Sequence, residues 1–230
     1  MEYNKEILEA KFINRPNRFN ALVELEGEEI TVHVPNTGRC KELLVEGVKV
    51  LIRKENNPTR KTKYDLISVY KGNELISIDS QIPNKVVMEA LQNKKIEKLI
   101  RYNNILKEKT FGNSRFDFKL SNDNGEEYYL EVKGVTLEED GHAMFPDAPT
   151  ERGRKHLLEL IEVKKSGRGA GVLFLLQMNN MKDFAPNDER DNEFGKALRE
   201  ARDNGVDIFV YECDVLKDSI TLTNRIEVNF

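Results

Sequence analysis

Along residues 111–133 hydrophobic and polar positions alternate with the period of two that marks half-buried β-strands. Phe116, Phe118 and Leu120 fall on one face of a first strand, with Arg115, Asp117 and Lys119 on the other. Tyr128, Leu130 and Val132 form the core face of a second strand, with Tyr129, Glu131 and Lys133 opposite. A two-residue Asn124-Gly125 turn would set Asp117 against Val132 and mix the two faces. A three-residue loop, Asp123-Asn124-Gly125 with Gly125 left-handed, sets Asp117 against Glu131 and keeps the faces apart. The pattern therefore predicts the second register, with two carboxylates on one face and their Cβ atoms about 4.5–5.5 Å apart.

Residues 19–79 read as five short strands, ALVELEG, EEITVHVP, VKVLIRK, YDLISVYK and ELISIDS, with turns at Glu26-Gly27 and Lys71-Gly72-Asn73. Pro35-Asn36-Thr37-Gly38 is a further turn by composition, and Arg39 to Leu44 reads as a short helical piece. Strands at this spacing predict a small closed barrel. Gln81-Ile82-Pro83-Asn84 reads as a boundary, so the expected domains are residues 1–82 and 83–230, with Asn84 as a helix N-cap.

In the second domain Val86, Val87, Ala90 and Leu91 predict a helix continuing in broken form to Ile100, and ILKEKT, carrying Glu108, predicts a strand. Thr150 is placed to cap a helix reaching about Lys165, with Leu157, Leu158, Leu160 and Ile161 buried. GVLFLLQM is apolar throughout, as in a strand covered on both faces. Phe194, Ala197, Leu198 and Ala201 mark a helix stopped at Gly205, VDIFVYEC is a further strand, and SITLTNRIEV reads as an edge. This order predicts an α+β or α/β arrangement, a mixed sheet flanked by helices.

Charged residues at 33% and hydrophobic ones at 39% are ordinary for a globular chain with a core. No apolar run approaches the roughly 18 residues of a membrane span, and MEYNKEILEA lacks a signal peptide's apolar segment. Cys40 and Cys213 stand apart without metal-like spacing and read as small buried hydrophobes, so a reducing, cytoplasmic setting is expected.

The net charge of −4 argues against a blanket polyanion binder, but the charge is unevenly spread. Residues 85–115 hold eight Lys/Arg against three acids, residues 182–214 hold five against ten, and residues 1–80 balance at thirteen each. On the barrel, Arg15, Arg18, Phe19, Arg39, Lys41, Arg60, Lys61 and Lys63 are candidates for a nucleic-acid groove, against the alternative of an ordinary barrel surface. Arg115 belongs to the basic segment. Arg152, Arg154, Lys155 and His156 crowd the start of the helix after Thr150, where free N–H groups bind phosphate; solvated arginines beside a cap are the alternative. Gly153 costs helix stability and suits a close approach of backbone there. His33 and His142 read as structural.

Asp117, Glu131 and Lys133 form Asp…Glu-x-Lys on adjacent strands, which resembles the PD-(D/E)xK nuclease core. SRFDF, EVKGVTL and FPDAPTERGRKH, with HVPNTGRCKELL and RKTKYDLI, resemble the sugar fermentation stimulation protein family over nearly the whole chain, more loosely after Met178. The resemblance implies an OB-like β-barrel domain, a restriction-endonuclease-like domain, and DNA binding. It also implies that Asp117, Glu131 and the carbonyl of Val132 hold a metal, while Lys133 orients or deprotonates the attacking water. Oxygen ligands of this kind suit Mg2+ or Mn2+ rather than zinc. Glu108 is a weaker candidate, as a further acid or a surface salt bridge, and Gln177 is a weaker candidate to face the metal or a base. Three functions stay open: a Mg2+-dependent nuclease on DNA, a DNA-binding regulator of sugar metabolism without turnover, and an RNA-directed nuclease. The intact Asp, Glu and Lys favour the first.

Overall fold

A computed structural model describes residues 1–36 and 38–230, and its contacts divide into two compact units. The first comprises Met1–Ile82 with Gln177–Asn179 and Cys213–Thr221; the second comprises Pro83–Leu176, Asn180–Glu212 and Leu222–Phe230.

The first unit is built on strands β1 (Ile7–Asn14), β2 (Asn20–Leu25), β3 (Glu28–His33), β4 (Lys49–Lys54), β5 (Tyr64–Lys71) and β6 (Glu74–Ser77). They run in the order β3-β2-β1-β4-β5-β6, and a pairing of β3 with β5 closes the first five into a barrel. The sequence reading missed β1, which stands where it placed no strand, and Arg39 to Leu44 forms turns on Cys40 rather than a helix. Thr37, in the expected turn at Pro35, lies outside the described residues. Alternate residues Ala21, Val23, Val32, Val50 and Ile52 are fully buried in the barrel's core. At the closure His33 pairs with Asp65 along the chain and Arg53 lies opposite it.

Asp65 is a 4% exposed carboxylate and takes bonds from two neighbouring strands and a loop. It receives Arg53 at 3.1 Å, His33 at 3.0 Å, and Arg60. Burial alone would raise its pKa, but the bonds from Arg60 and His33 outweigh it and hold the carboxyl below its ordinary value.

The second unit opens with α1 (Ile82–Gln92) and a short 3-10 turn at Glu97–Leu99, the broken helix expected. Then come β7 (Asn104–Phe111), β8 (Ser114–Ser121) and β9 (Glu127–Val135), followed by the small strands β10 (Glu138–Glu139) and β11 (His142–Phe145). After α2 (Glu151–Lys165) and β12 (Gly169–Leu176) follow β13 (Asp183–Pro186), α3 (Asp188–Asp203), β14 (Asp207–Val215) and β15 (Ile220–Arg225). The main sheet runs β15-β14-β12-β9-β8-β7, antiparallel from β7 to β9 and parallel across β9, β12 and β14. SITLTNRIEV is the edge, as its pattern predicts. The strands β10, β11 and β13, too short to carry an alternation, form a separate three-stranded sheet.

Thr150 Oγ1 accepts from Gly153 N at 3.0 Å, the cap expected for α2. Leu158 is 39% exposed, a correction to the buried stripe, which runs through Gly153, His156, Leu157, Leu160 and Ile161. Gly153 is needed for packing: a Cβ there would meet Thr150 at 2.8 Å and the Phe194 ring of α3 at 3.2 Å.

Two glycines of β12 make room for one tyrosine. Tyr128 pairs with Gly169 across β9 and β12, and its hydroxyl donates to Asp207 at 2.9 Å. A Cβ at Gly169 would lie 2.1 Å from the Tyr128 ring, and one at Gly171 would lie 2.2 Å from its hydroxyl. Gly169→Ala should therefore destabilise the protein by about 1–3 kcal/mol through overpacking. Thermal unfolding checks this, and in a Tyr128→Ala background the same substitution should cost less, because the clash is gone.

Candidate metal centre

The hairpin adopts the register that alternation selects. Gly125 has φ +76°, Gly125 N donates to Asn122 O at 3.1 Å, and Asn122 N donates to Glu126 O at 3.2 Å. Phe118 stands against Leu130, Leu120 against Tyr128 and Ser121 against Glu127, the expected register as far as Phe118; Asp117 then meets β9 through the Val132 amide, near enough to Glu131 to feel its charge. One expectation needs correction. The second strand is not half-buried, because β9 is central, between β8 and β12. Its supposed outer face is covered too, leaving Tyr129 5% and Glu131 4% exposed.

A carboxylate at that depth needs partners. Lys133 Nζ donates to Glu131 Oε1 at 2.6 Å, and His156 Nδ1, from the buried stripe of α2, meets the same oxygen. Glu131 Oε2 is buried and has no hydrogen-bond partner among the described residues. Asp117 accepts from Asn84 Nδ2 through Oδ1 and from the Val132 amide through Oδ2, both at 2.8 Å. Helix α1 begins at Ile82, so Asn84 is inside its first turn rather than its cap, and its side chain is free to reach Asp117.

The two acids are pushed in opposite directions. Burial raises the Asp117 pKa, the charge of Glu131 raises it further, and the bonds from Val132 and Asn84 only partly offset this. For Glu131 burial also pulls upward, but the His156 bond and the Lys133 charge prevail and hold it low. Neighbouring carboxyls driven apart in this way are typical of functional sites.

Among the described residues no group of three or more His, Cys, Asp or Glu side chains is arranged to hold a metal ion. A hard cation such as Mg2+ needs less, because it is bound through one or two carboxylates and keeps several waters. The unpartnered Glu131 Oε2 and the raised Asp117 carboxyl offer that donor set, and a carbonyl on Val132 would be of the same chemical kind. The residues present fit such an ion.

His156 and Asn84 were not recognised as site residues from sequence. His156 was counted with the basic groups at the helix start, although its spacing with Leu157, Leu160 and Ile161 marks it as an inward residue. Glu108 pairs with Arg115 at 3.0 Å, both exposed, which is the surface salt bridge of the two readings. Gln177 faces neither metal nor base: it is 3% exposed and its amide donates to Ser77 O at 2.9 Å, Ser77 Oγ at 3.2 Å and Asp79 O at 3.3 Å. A buried amide must satisfy its donors, and these are all used. Arg60 is likewise engaged, on Asp65 and at 3.5 Å from Glu55. Arg18, Arg39, Lys61 and Lys63 are exposed on the barrel unit. At the start of α2, Arg152 is exposed, Arg154 lies 3.9 Å from Glu193, and Lys155 donates to Asn113 O at 3.1 Å. Cys40 and Cys213 are buried, and no helix of the described residues is long and apolar enough to cross a membrane.

A closed OB-like barrel followed by a restriction-endonuclease-like mixed sheet defines the class of fold. Residues 13–78 match the SfsA N-terminal OB domain, and residues 81–219 match the sugar fermentation stimulation protein RE domain. The chain belongs to the sugar fermentation stimulation protein family. It is 64% identical over 99% of both chains to a sugar fermentation stimulation protein homolog of Clostridium perfringens. It is 67% identical to one of Clostridium acetobutylicum over 95% of each chain. Among solved structures it is similar to SfsA of Pyrococcus furiosus in complex with Ca2+, at 26% identity, complete coverage of both chains and a TM-score of 0.90.

The raised Asp117 carboxyl has a consequence for stability. An acid whose folded pKa exceeds its unfolded value costs stability as pH rises through that interval and leaves the native state weaker at neutral pH. Asn at this position can accept from the Val132 amide and donate to Asn84 once that amide is flipped. Asp117→Asn should thus raise the melting temperature at pH 7 by a few degrees, for a gain on the order of 1 kcal/mol. The gain should vanish below about pH 3.9, where the unfolded aspartate is protonated as well. Glu131 has the opposite sign: its contribution is present at neutral pH and is lost as pH falls below about 4.3. Melting curves of parent and variant between pH 3 and 8 check both.

Proposed function

We propose that this chain is a divalent-metal-dependent nuclease that cleaves phosphodiester bonds of DNA. The observation that carries the reading is the unpartnered, buried Glu131 Oε2 on the strand that also bears Lys133, with Asp117 on the neighbouring strand. Two carboxylates that repel each other in the free protein are stabilised by a shared cation. The Ca2+ of the Pyrococcus relative is a hard, oxygen-seeking ion of the same kind, and Mg2+ or Mn2+ would be the working ion here.

In this reading Asp117, Glu131 and the Val132 carbonyl hold the ion, which when bound neutralises charge on the phosphoryl oxygens and helps ionise water. The chain's own groups do the rest. His156 and Lys133 both occupy Oε1 of Glu131, which orients the carboxylate and leaves Oε2 for the ion. Asn84 and the Val132 amide fix the Asp117 carboxylate from two sides. Lys133, only 16% exposed at its side chain, is the cation beside the acids and would hold the attacking water. Lys85, Lys95, Lys107 and Lys109 are exposed on the same unit without a carboxylate partner among the described residues, and with Arg152 they would bind the phosphate backbone.

Glu131→Gln and Lys133→Met should each lower metal-dependent cleavage of DNA by at least about a hundredfold, each ~1.4 kcal/mol lost being about tenfold in rate. Both should bind DNA in chelator as the parent does. Nicking and gel-shift assays on single-stranded, duplex and structured DNA, with RNA as a parallel arm, separate these effects. A parent protein that binds DNA tightly but cuts neither DNA nor RNA with Mg2+ or Mn2+ would instead be a binding regulator.

Arg152→Ala with Arg154→Ala should act the other way. Binding should weaken first, with log affinity falling less steeply against log salt because fewer phosphates are neutralised. Titrations at several salt concentrations measure that slope.

A further inference from the structure

Among the described residues that are not glycine, Glu26, Cys40, Lys94, Asp140 and Asn180 have positive φ and lie in turns or loops. Glu108, at φ +55°, is the one inside a strand. An L side chain crowds its own backbone in that conformation, and glutamate lacks the short polar group that eases it for Asn or Asp. The Glu108 side chain does not account for the strain. It pairs with Arg115 at 3.0 Å, and both are exposed. An exposed pair of that kind contributes too little to hold a backbone in a disfavoured state.

The neighbouring strands supply a reason. On one side of Glu108 the β7–β8 ladder pairs Lys107 with Phe118, and on the other it pairs Lys109 with Phe116. The register is the same on both sides, so no residue is inserted and Glu108 stands level with Asp117. Among the described residues that rung alone is missing from the ladder between Asn104 and Phe111.

The ladder on the other flank of β8 stops at the same place. β8 pairs with β9 from Ser121 and Glu127 as far as Phe118 and Leu130, and among the described residues 114–117 make no further pair with β9. The Val132 amide donates to the Asp117 carboxylate instead, at 2.8 Å. At Asp117, then, β8 parts from β9 but keeps β7, and the carboxylate fills the opening. β7 has to follow that bend without losing register. One left-handed residue redirects a strand within a single step and does this.

We propose that Glu108 is a positioning residue for Asp117: its left-handed backbone lets β7 and β8 bend together away from β9, which opens the gap where Asp117 takes the Val132 amide. The backbone conformation is the working part, and the Glu108 carboxylate is dispensable. The role of Asp117 as a metal ligand rests on the proposed metal centre; the seating of its carboxylate on Val132 does not.

Replacements at Glu108 separate backbone from side chain. Glu108→Gly and Glu108→Asn remove the carboxylate but accept positive φ, whereas Glu108→Val removes it and resists that conformation. Amide exchange in the full chain without metal, followed by NMR, gives the first readout. Val132 should stay as protected in Glu108→Gly and Glu108→Asn as in the parent. In Glu108→Val it should exchange at least about tenfold faster, the loss expected for one hydrogen bond to a charged group. Leu130, in the intact part of the ladder, should keep its rate. Mn2+ alone, titrated without nucleic acid and followed by electron paramagnetic resonance, gives the second readout. It should bind Glu108→Gly and Glu108→Asn as it binds the parent, and Glu108→Val at least about tenfold more weakly. Glu108→Ala serves where Glu108→Val does not fold: it should melt about 2–4 °C below Glu108→Gly and lose part of the Val132 protection.

Equal Val132 exchange in Glu108→Gly and in Glu108→Val or Glu108→Ala would overturn the proposal. So would a loss of protection in every variant alike, because the ion pair with Arg115 would then be the cause. A uniform rise in exchange across β8 and β9 in Glu108→Val would overturn it too, as general loosening of the sheet. A parent protein that binds no Mn2+ would sink the metal reading of Asp117, while the Val132 comparison would still decide this one.

Discussion

Glu131 lies on the central strand of a sheet whose two faces are both covered, and its charge survives there only through His156 and Lys133 on a single oxygen. Much of the second unit's geometry serves that arrangement. His156 can reach inward only if α2 packs close over β9. That approach uses Gly153, which admits the Thr150 side chain and the Phe194 ring where a Cβ would collide. The Thr150 cap sets where α2 starts, and Thr150 N in turn donates to Asp191 of α3 at 2.8 Å. Asp117 is then held beside Glu131 by one backbone amide and one asparagine, neither of which can neutralise it.

The barrel unit contains a useful contrast. Asp65 is as deeply buried as Glu131, yet both its oxygens are met by Arg53, Arg60 and His33. A carboxylate saturated by cations joins the strands it touches and has nothing left to offer a ligand. Glu131 keeps one oxygen without a partner, and the neighbouring acid has a raised pKa. Burial of the charge is common to both sites; the completeness of the pairing separates them. The same reasoning sets Arg15 apart from Arg53, since Arg53 meets three carboxylates and Arg15 meets only carbonyls.

Periodicity made the hairpin legible to the level of register, because a one-residue slip would have moved Asp117 to the wrong face and only Gly125 could take the left-handed turn. The capped helix α2, the apolar strand β12 and the edge strand β15 were readable too, and the barrel was readable as a class though without β1. Local pattern failed where partners came from elsewhere in the chain. Half-burial of β9 was inferred from Tyr129, Glu131 and Lys133, polar or amphipathic residues that ordinarily face water. Gln177 looked like a polar end to a buried strand and instead serves Ser77 and Asp79, about a hundred positions earlier.

What the sequence by itself determined is whatever depends on neighbours along the chain: strand period, turn handedness, the Thr150 cap, and the register of β8 on β9 as far as Phe118. Those follow from steric rules acting over a few residues. Only the tertiary structure decided that Glu131 would be buried, that His156 would point at it, that Asn84 would hold Asp117, and that Arg15 would lack a counterion. Each of these is a matter of solvation, set by which distant groups exclude water and which supply charge in its place. A polar side chain reads the same in sequence whether it meets water, a cation or nothing, and packing alone distinguishes the three.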